Sequence, residues 1–242
     1  MEIIVAKNYR EMSIIAADLA IKQLKRKKTS VLGLATGNTP IGFYHEILKV
    51  YHRGDISFKS VKTFNLDEFA GLDDTDRGSL FYYMRKHLFD KAADLQPKNI
   101  NMLDGRAKNL RAECHRFEQA IKSAGGIDWQ LLGIGANGHI GWNEPGTSFK
   151  SRTHLLNLTI KSRRAQAENF KSIKDVPKQG LTMGIGTIME AKQLVLLADG
   201  KEKASIVREA LRGRVRQRVP ATVLQRHPNL VVVLDEAAAS SL

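Results

Sequence analysis

Six short apolar runs, set apart by segments with helical apolar spacing, constrain this fold more than any other feature of the chain. They are Ile3-Ile4-Val5, Val31-Leu32-Gly33-Leu34, Val61-Lys62-Thr63-Phe64, Leu131-Leu132-Gly133-Ile134, Leu194-Val195-Leu196-Leu197 and Leu230 to Leu234. Continuous rather than alternating apolar character marks strands covered on both faces, the condition of a parallel sheet. Between the first two runs, Asn8 to Lys25 places Met12, Ile15, Ala16, Leu19, Ala20 and Leu24 at three- and four-residue intervals, the spacing of a helix with one apolar face. Similar patterns occupy Pro40 to Tyr51, Asn109 to Ser123 and Lys201 to Leu211. Alternating strands and helices with right-handed crossovers predict an α/β fold: a single doubly wound, mostly parallel sheet with helices on both faces. No Pro- or Ser-rich linker interrupts it, so one domain over residues 1–242 is expected. The stretch from about 148 to 180 is rich in Lys, Arg, Ser and Asn and lacks a clean period, which suits a lid excursion or a solvated connection.

Composition narrows the function classes. Hydrophobic residues at 43% and charged residues at 26% of 242 exclude a disordered or collagen-like chain. Cys114 is the only cysteine, which rules out an internal disulfide or a multi-cysteine metal site and suits a reducing compartment. No apolar run approaches a membrane span and the N-terminus is not signal-like, so a cytoplasmic protein without membrane contact is expected. The net charge of +13 attracts anions of several kinds: nucleic acid, acidic membrane surface or phosphorylated metabolites.

Ligands of doubly wound sheets gather at the carboxyl ends of strands, so the segments after each run matter most. After Leu34 comes Ala35-Thr36-Gly37-Asn38-Thr39-Pro40. A glycine, two hydroxyls and a proline at a helix start resemble a phosphate cradle, or a tight turn with Thr39 as the helix cap. Neither a Walker lysine nor dinucleotide spacing is present, so no nucleotide cofactor is indicated. After Phe64, Asp67 and Glu68 are adjacent. In extended backbone their side chains point to opposite sides, so one can face a site while the other faces away; a pair of solvated acids is the plainer alternative. Asp73-Asp74-Thr75-Asp76 lacks the spacing of a calcium loop and reads as a solvated acidic turn.

The richest segment is Gly135-Ala136-Asn137-Gly138-His139-Ile140-Gly141-Trp142-Asn143-Glu144-Pro145-Gly146. Its four glycines pack poorly but hold functional groups at set angles. His139 moves protons near neutral pH, and Glu144 can orient it or exchange protons itself. The pair lacks HExxH spacing and a third ligand, so no metal is expected. Trp142 is either a substrate wall or a cover for the loop base, and Tyr44, Tyr82 and Tyr83 stand in helical settings that favour core packing. Ser79, Ser205 and Cys114 lack the surroundings of a nucleophile.

Together with Leu181-Thr182-Met183-Gly184-Ile185-Gly186-Thr187-Ile188, these loops resemble the glucosamine-6-phosphate deaminase family of sugar-phosphate isomerases, in the family order and over nearly the whole chain. The resemblance implies conversion of glucosamine 6-phosphate to fructose 6-phosphate and ammonia without cofactor or metal. It implies that Asp67 transfers the C2 proton, that His139 opens the sugar ring, and that Glu144 and Asn137 support it. Asn137 cannot ionise, so its part would be orientation. Thr36, Gly37, Asn38, Thr39 and Lys203 would bind the phosphate. Glu168 stands where the family commonly has a phosphate-clamping Arg, with Arg163 and Arg164 as nearby substitutes. His154 and Leu156 stand where regulated members place effector-binding cations, so no allosteric activation is expected. A monomer is favoured, with a homo-oligomer left open. The alternatives are a galactosamine-6-phosphate deaminase, a more distant 6-phosphogluconolactonase-like hydrolase, and, in another class, a nucleic-acid-binding protein using the run Arg212 to Arg218. That run has no interleaved aromatics and matches no RNA-binding module, so a solvated basic face is preferred.

Overall fold

The computed structural model describes residues 1–242, apart from the side chains of Ala165 and Glu168. In chain order the elements are β1 (Glu2–Ala6), α1 (Tyr9–Arg26), β2 (Val31–Leu34), α2 (Ile41–His52), β3 (Lys62–Asn65), β4 (Asp67–Phe69), α3 (Leu80–Met84) and β5 (Ile100–Asn101). There follow α4 (Leu110–Ser123), β6 (Trp129–Gly133), β7 (His154–Asn157), α5 (Ile160–Gln166), β8 (Gln179–Thr182) and α6 (Ile185–Met189). The chain closes with β9 (Leu194–Ala198), α7 (Ala204–Arg212), β10 (Leu230–Asp235) and α8 (Glu236–Ala239). Two helix starts are set by asparagine: Asn8 accepts from the Glu11 amide, and Asn109 from the amides of Arg111 and Ala112.

Seven strands form a parallel sheet in the order β1-β10-β9-β6-β2-β3-β5. The six apolar runs all fall on its strands. The chain moves outward from β2 through β3 to β5, then restarts at β6 on the other side of β2. The crevice between β2 and β6 is therefore the topological switch point, where loops leave in opposite directions and make room for a ligand. Leu32 and Trp129 are register partners on one face, and Phe43 of α2 stacks on Trp129 with ring centroids 5.6 Å apart. Phe64 points to the other face, where Phe117 of α4 meets it edge-on at 5.5 Å. Helices thus cover both faces, as the doubly wound pattern requires.

The structure corrects the expectation of a single sheet. A second, antiparallel sheet runs β4-β8-β7, with Asp67 opposite Thr182 and His154 also opposite Thr182. The hand-over occurs at Leu66, whose amide donates to Leu34 in the large sheet (3.2 Å) while its carbonyl accepts from Met183 in the small one (2.7 Å). The 148–180 stretch consequently contributes β7 and the start of β8 to a sheet, and only the part between them, carrying α5, is left to project. Among the described residues, no helix is long and apolar enough to cross a membrane.

Phe43 is 1% exposed and wedges α2, and hence the loop before it, against β6. Phe43→Ala should lower the unfolding free energy by about 3–5 kcal/mol, read as a lower midpoint in denaturant titration with an unchanged slope.

Candidate active site

The loops after β2, β3 and β6 enclose a cavity of about 610 Å³. Thr36, Gly37, Asn38, Thr39, Asp67, Asn137, His139 and Lys203 all line it. Glu144 does not reach the wall but stands behind it. A larger cavity of about 940 Å³ lies between α4 and β7, beside His154, and none of these residues borders it.

The loop after β2 is held by three tyrosines. Tyr44 donates to the Ala35 carbonyl (2.6 Å), Tyr83 to that of Gly37 (2.6 Å), and Tyr9 to those of Asn38 and Thr39 (3.2 and 3.1 Å). Burial pushes the phenols of Tyr44 and Tyr83 up, so they remain protonated donors. Gly37 has φ +99°, with nothing within 4 Å of where a Cβ would stand, and this left-handed turn lets the loop bend around open space. Thr39 does not cap α2, whose cap residue is Pro40; its hydroxyl donates instead to Asp199 at the end of β9 (2.6 Å). Lys203 donates to the Ile134 carbonyl (3.0 Å), which places its ammonium between the two main loops.

Asp67 and Glu68 do diverge across β4. Asp67 is 7% exposed and accepts from the Trp142 amide (3.1 Å). Burial raises its carboxyl from 3.8 to about 6, against the lowering pull of Thr182, the Trp142 amide and His139. Glu68 points away and accepts from the amides of Phe69, Leu80 and Phe81 (2.7, 3.0 and 2.8 Å), fastening the start of α3. Burial raises it to about 7 despite those three donors.

In the loop after β6, the His139 ring lies flat over Gly135, where a Cβ would come within 2.2–2.5 Å of three ring atoms. Glycine is the residue that admits the imidazole there. Glu144 accepts from Asn137 Nδ2 at Oε2 (2.6 Å) and from Ser162 Oγ at Oε1 (2.5 Å). His139 Nδ1 stands 3.7 Å from Oε1, beyond hydrogen-bond reach, and has no other partner. Burial alone would raise the Glu144 carboxyl; the neighbouring His139 and the donors Ser162 and Asn137 overcome it and hold the group at about 2. It is a permanent anion at the back of the site.

Trp142 fills both of the places the sequence leaves open: it lines the cavity, and its ring packs on Phe69 at 4.8 Å and over Gly180, covering the loop base. Other residues take places the sequence does not suggest. The acidic turn is ion-paired rather than merely solvated, since Arg106 bridges Asp73 and Asp76. Arg163 is spent on the carbonyls of Ile173 and Val176 and is not free to meet an anion. Arg164 is exposed and does not border the cavity, and the side chain of Glu168 lies outside the described residues. The cations that do line the cavity, besides Lys203, are Arg77 and Lys86 around α3 and Lys161 on α5. Sequence reasoning missed these, together with Ser162 and Asp199. The basic run after α7 is an exposed face on which Arg216 pairs with Glu209. Among the described residues, no three His, Cys, Asp or Glu side chains are grouped to hold a metal ion.

Chemically, the cavity offers a loop whose carbonyls are already occupied by tyrosine hydroxyls, a buried carboxylate that is a base near neutral pH, and an imidazole close to a fixed negative charge. The family model for glucosamine-6-phosphate isomerases/6-phosphogluconolactonase matches residues 9–232. A glucosamine-6-phosphate deaminase of Oceanobacillus iheyensis is 47% identical over 242 residues, covering 100% of this chain and 96% of that protein. One from Thermoanaerobacter pseudethanolicus is 46% identical over 240 residues, covering 99% and 94%. The solved structure of a monomeric glucosamine-6-phosphate deaminase superposes with a TM-score of 0.97 at 45% identity over 100% of both chains. A 6-phosphogluconolactonase from Leishmania guyanensis reaches a TM-score of 0.76 at 20% identity over 100% of this chain and 98% of that one, a likeness of fold alone.

The buried charge has a stability signature. Because folding raises the Asp67 carboxyl from 3.8 to about 6, the folded state binds its proton more tightly. Stability from this group is full below the unfolded value and is lost as pH rises through the folded one. Asp67→Asn should therefore be more stable than the parent at about pH 8, by up to roughly 3 kcal/mol, with the gain vanishing toward about pH 4. Parallel denaturant titrations at the two pH values measure it.

Proposed function

Since the chain belongs to the glucosamine-6-phosphate isomerase/6-phosphogluconolactonase family, we propose that it converts glucosamine 6-phosphate and water to fructose 6-phosphate and ammonia in amino-sugar catabolism. One observation carries this reading for the site itself: the buried Asp67 carboxylate and the His139 imidazole line the same cavity as the tyrosine-pinned loop. An isomerase of this kind needs a phosphate anchor at one end of the sugar and two proton-moving groups at the other.

The phosphate binds at Thr36 to Thr39, where the tyrosines have taken up loop carbonyls and Lys203 adds positive charge. His139 takes the proton of the anomeric hydroxyl and returns it to the ring oxygen, opening the sugar. The Glu144 anion stabilises the imidazolium that forms, and Asn137 holds that carboxylate in place. Asp67 removes the C2 proton of the open aldehyde and delivers it to C1. The C1–C2 enolamine becomes a C2 iminium, which water hydrolyses to the ketone with release of ammonia. A carboxyl at about 6 suits the step, being ionised at neutral pH and still basic enough to accept a carbon-bound proton. Of the segment from 148 to 180, the part between β7 and β8 serves as the lid, with Lys161 supplying charge from α5. A cytoplasmic monomer, working on a phosphorylated small molecule rather than nucleic acid and without effector control, completes the reading.

Purified protein with glucosamine 6-phosphate should release ammonia and fructose 6-phosphate in equal amounts, with the galactosamine epimer assayed beside it. Absence of both products at saturating substrate would reject the proposal. Asp67→Asn should slow exchange of the C2 proton with solvent deuterium by on the order of 10²–10⁴. His139→Gln should impair turnover of the closed ring more than exchange in the open-chain form.

A further inference from the structure

The Glu144 carboxylate is shared unevenly. Asn137 holds Oε2 at 2.6 Å, so the group cannot swing to present a different oxygen. Oε1 is taken by Ser162, eighteen residues on and part of α5, at 2.5 Å. His139 Nδ1 faces the same Oε1 from 3.7 Å, buried and without a partner. A buried ring nitrogen left unpaired is costly, and such an exception in a native site calls for a physical reason.

The reason lies in the second partner available to Ser162. Its hydroxyl is also 2.9 Å from the hydroxyl of Thr159, the cap residue of α5, which accepts from the Ser162 amide. A turn of one hydroxyl toward Thr159 frees Oε1, and an imidazole shift of under about 1 Å then closes a hydrogen bond of ordinary length from Nδ1–H. The carboxylate has two donors in either arrangement: Asn137 with Ser162, or Asn137 with His139.

We propose that Ser162 is a positioning residue that competes with His139 for one oxygen of Glu144, so that the placement of α5 controls whether the imidazole is anchored. With α5 seated as in this structure, Ser162 holds the carboxylate and the imidazole is loose. With α5 displaced, as when a ligand engages Lys161 on the preceding position, the imidazole is locked to the carboxylate and fixed in one tautomer for proton transfer. The device couples the presence of a ligand under α5 to readiness of the proton shuttle. It rests on the deaminase reading for its purpose, though not for its detection.

The test uses the intact ligand-free protein, labelled with ¹⁵N. In Ser162→Ala, Oε1 has no competing donor, and a downfield His139 Nδ1-bound proton, protected from solvent exchange, should appear. It should be weak or absent in the parent and in Ser162→Thr, which restores the hydroxyl. Kinetically, Ser162→Ala should lower KM for glucosamine 6-phosphate several-fold, because the tie it removes exists only with α5 seated and opposes its displacement by ligand, while kcat is retained; Ser162→Thr should bring KM back. Alanine is a good helix former, and matching circular dichroism confirms that the fold is kept. An unchanged imidazole signal in Ser162→Ala, a parallel fall in kcat with KM unaltered, or failure of the threonine variant to restore the parent behaviour would each overturn the proposal. Should the parent release no ammonia, the deaminase reading fails, and the imidazole signal still decides the competition.

Discussion

Leu66 gives its amide to one sheet and its carbonyl to another, and the residue after it is Asp67. A strand that changes partners must leave a wedge where the two sheets part, and the carboxylate sits in that wedge. The large sheet supplies the glycine-turn loop after β2 and the histidine loop from either side of the switch point, while the small sheet supplies Thr182 and the backing of Trp142. Were β3 simply to continue, Asp67 would lie on the edge of the crevice in water. Its burial, and with it the basicity of the group, follows from the hand-over.

That placement is bought with stability. Asp67 and Glu68 are neighbouring carboxylates at 7% and 1% exposure, and burial raises both. They are compensated differently. Glu68 receives three backbone amides and works as a structural fastener for α3, whereas Asp67 has the Trp142 amide and neighbouring Thr182 and lines the cavity. Polar groups in a core are tolerated where the surrounding hydrogen bonds are nearly complete.

The large sheet was legible because its strands are apolar on both faces, and the asparagine-led starts of α1 and α4 are chemical rather than contextual signals. The opposite facing of Asp67 and Glu68 followed from the two-residue period of extended backbone. The small sheet was hidden for the complementary reason: β4 is three residues long, and its partner lies more than a hundred positions away at Thr182, so no local pattern announces the pairing. Ser162 was missed because its importance depends on what α5 is packed against, and a serine in a basic, irregular segment carries no period of its own. The tyrosines were half read. Tyr44 and Tyr83 are packing residues as their spacing suggests, but each ring also carries a hydroxyl that emerges at the loop, and spacing is blind to the tip of a side chain.

Those hydroxyls determine what the loop after β2 attracts. The carbonyls of Ala35, Gly37, Asn38 and Thr39 already accept hydrogen bonds, so a positive ion arriving there meets few free oxygens. On the proposed reading, a small molecule with one anionic and one cationic end would thereby be sorted by direction, its negative end meeting the loop whose acceptors are already used and its amine left toward Asp67. The loop would then act as a compass needle, setting which end enters first before any proton-moving group is engaged.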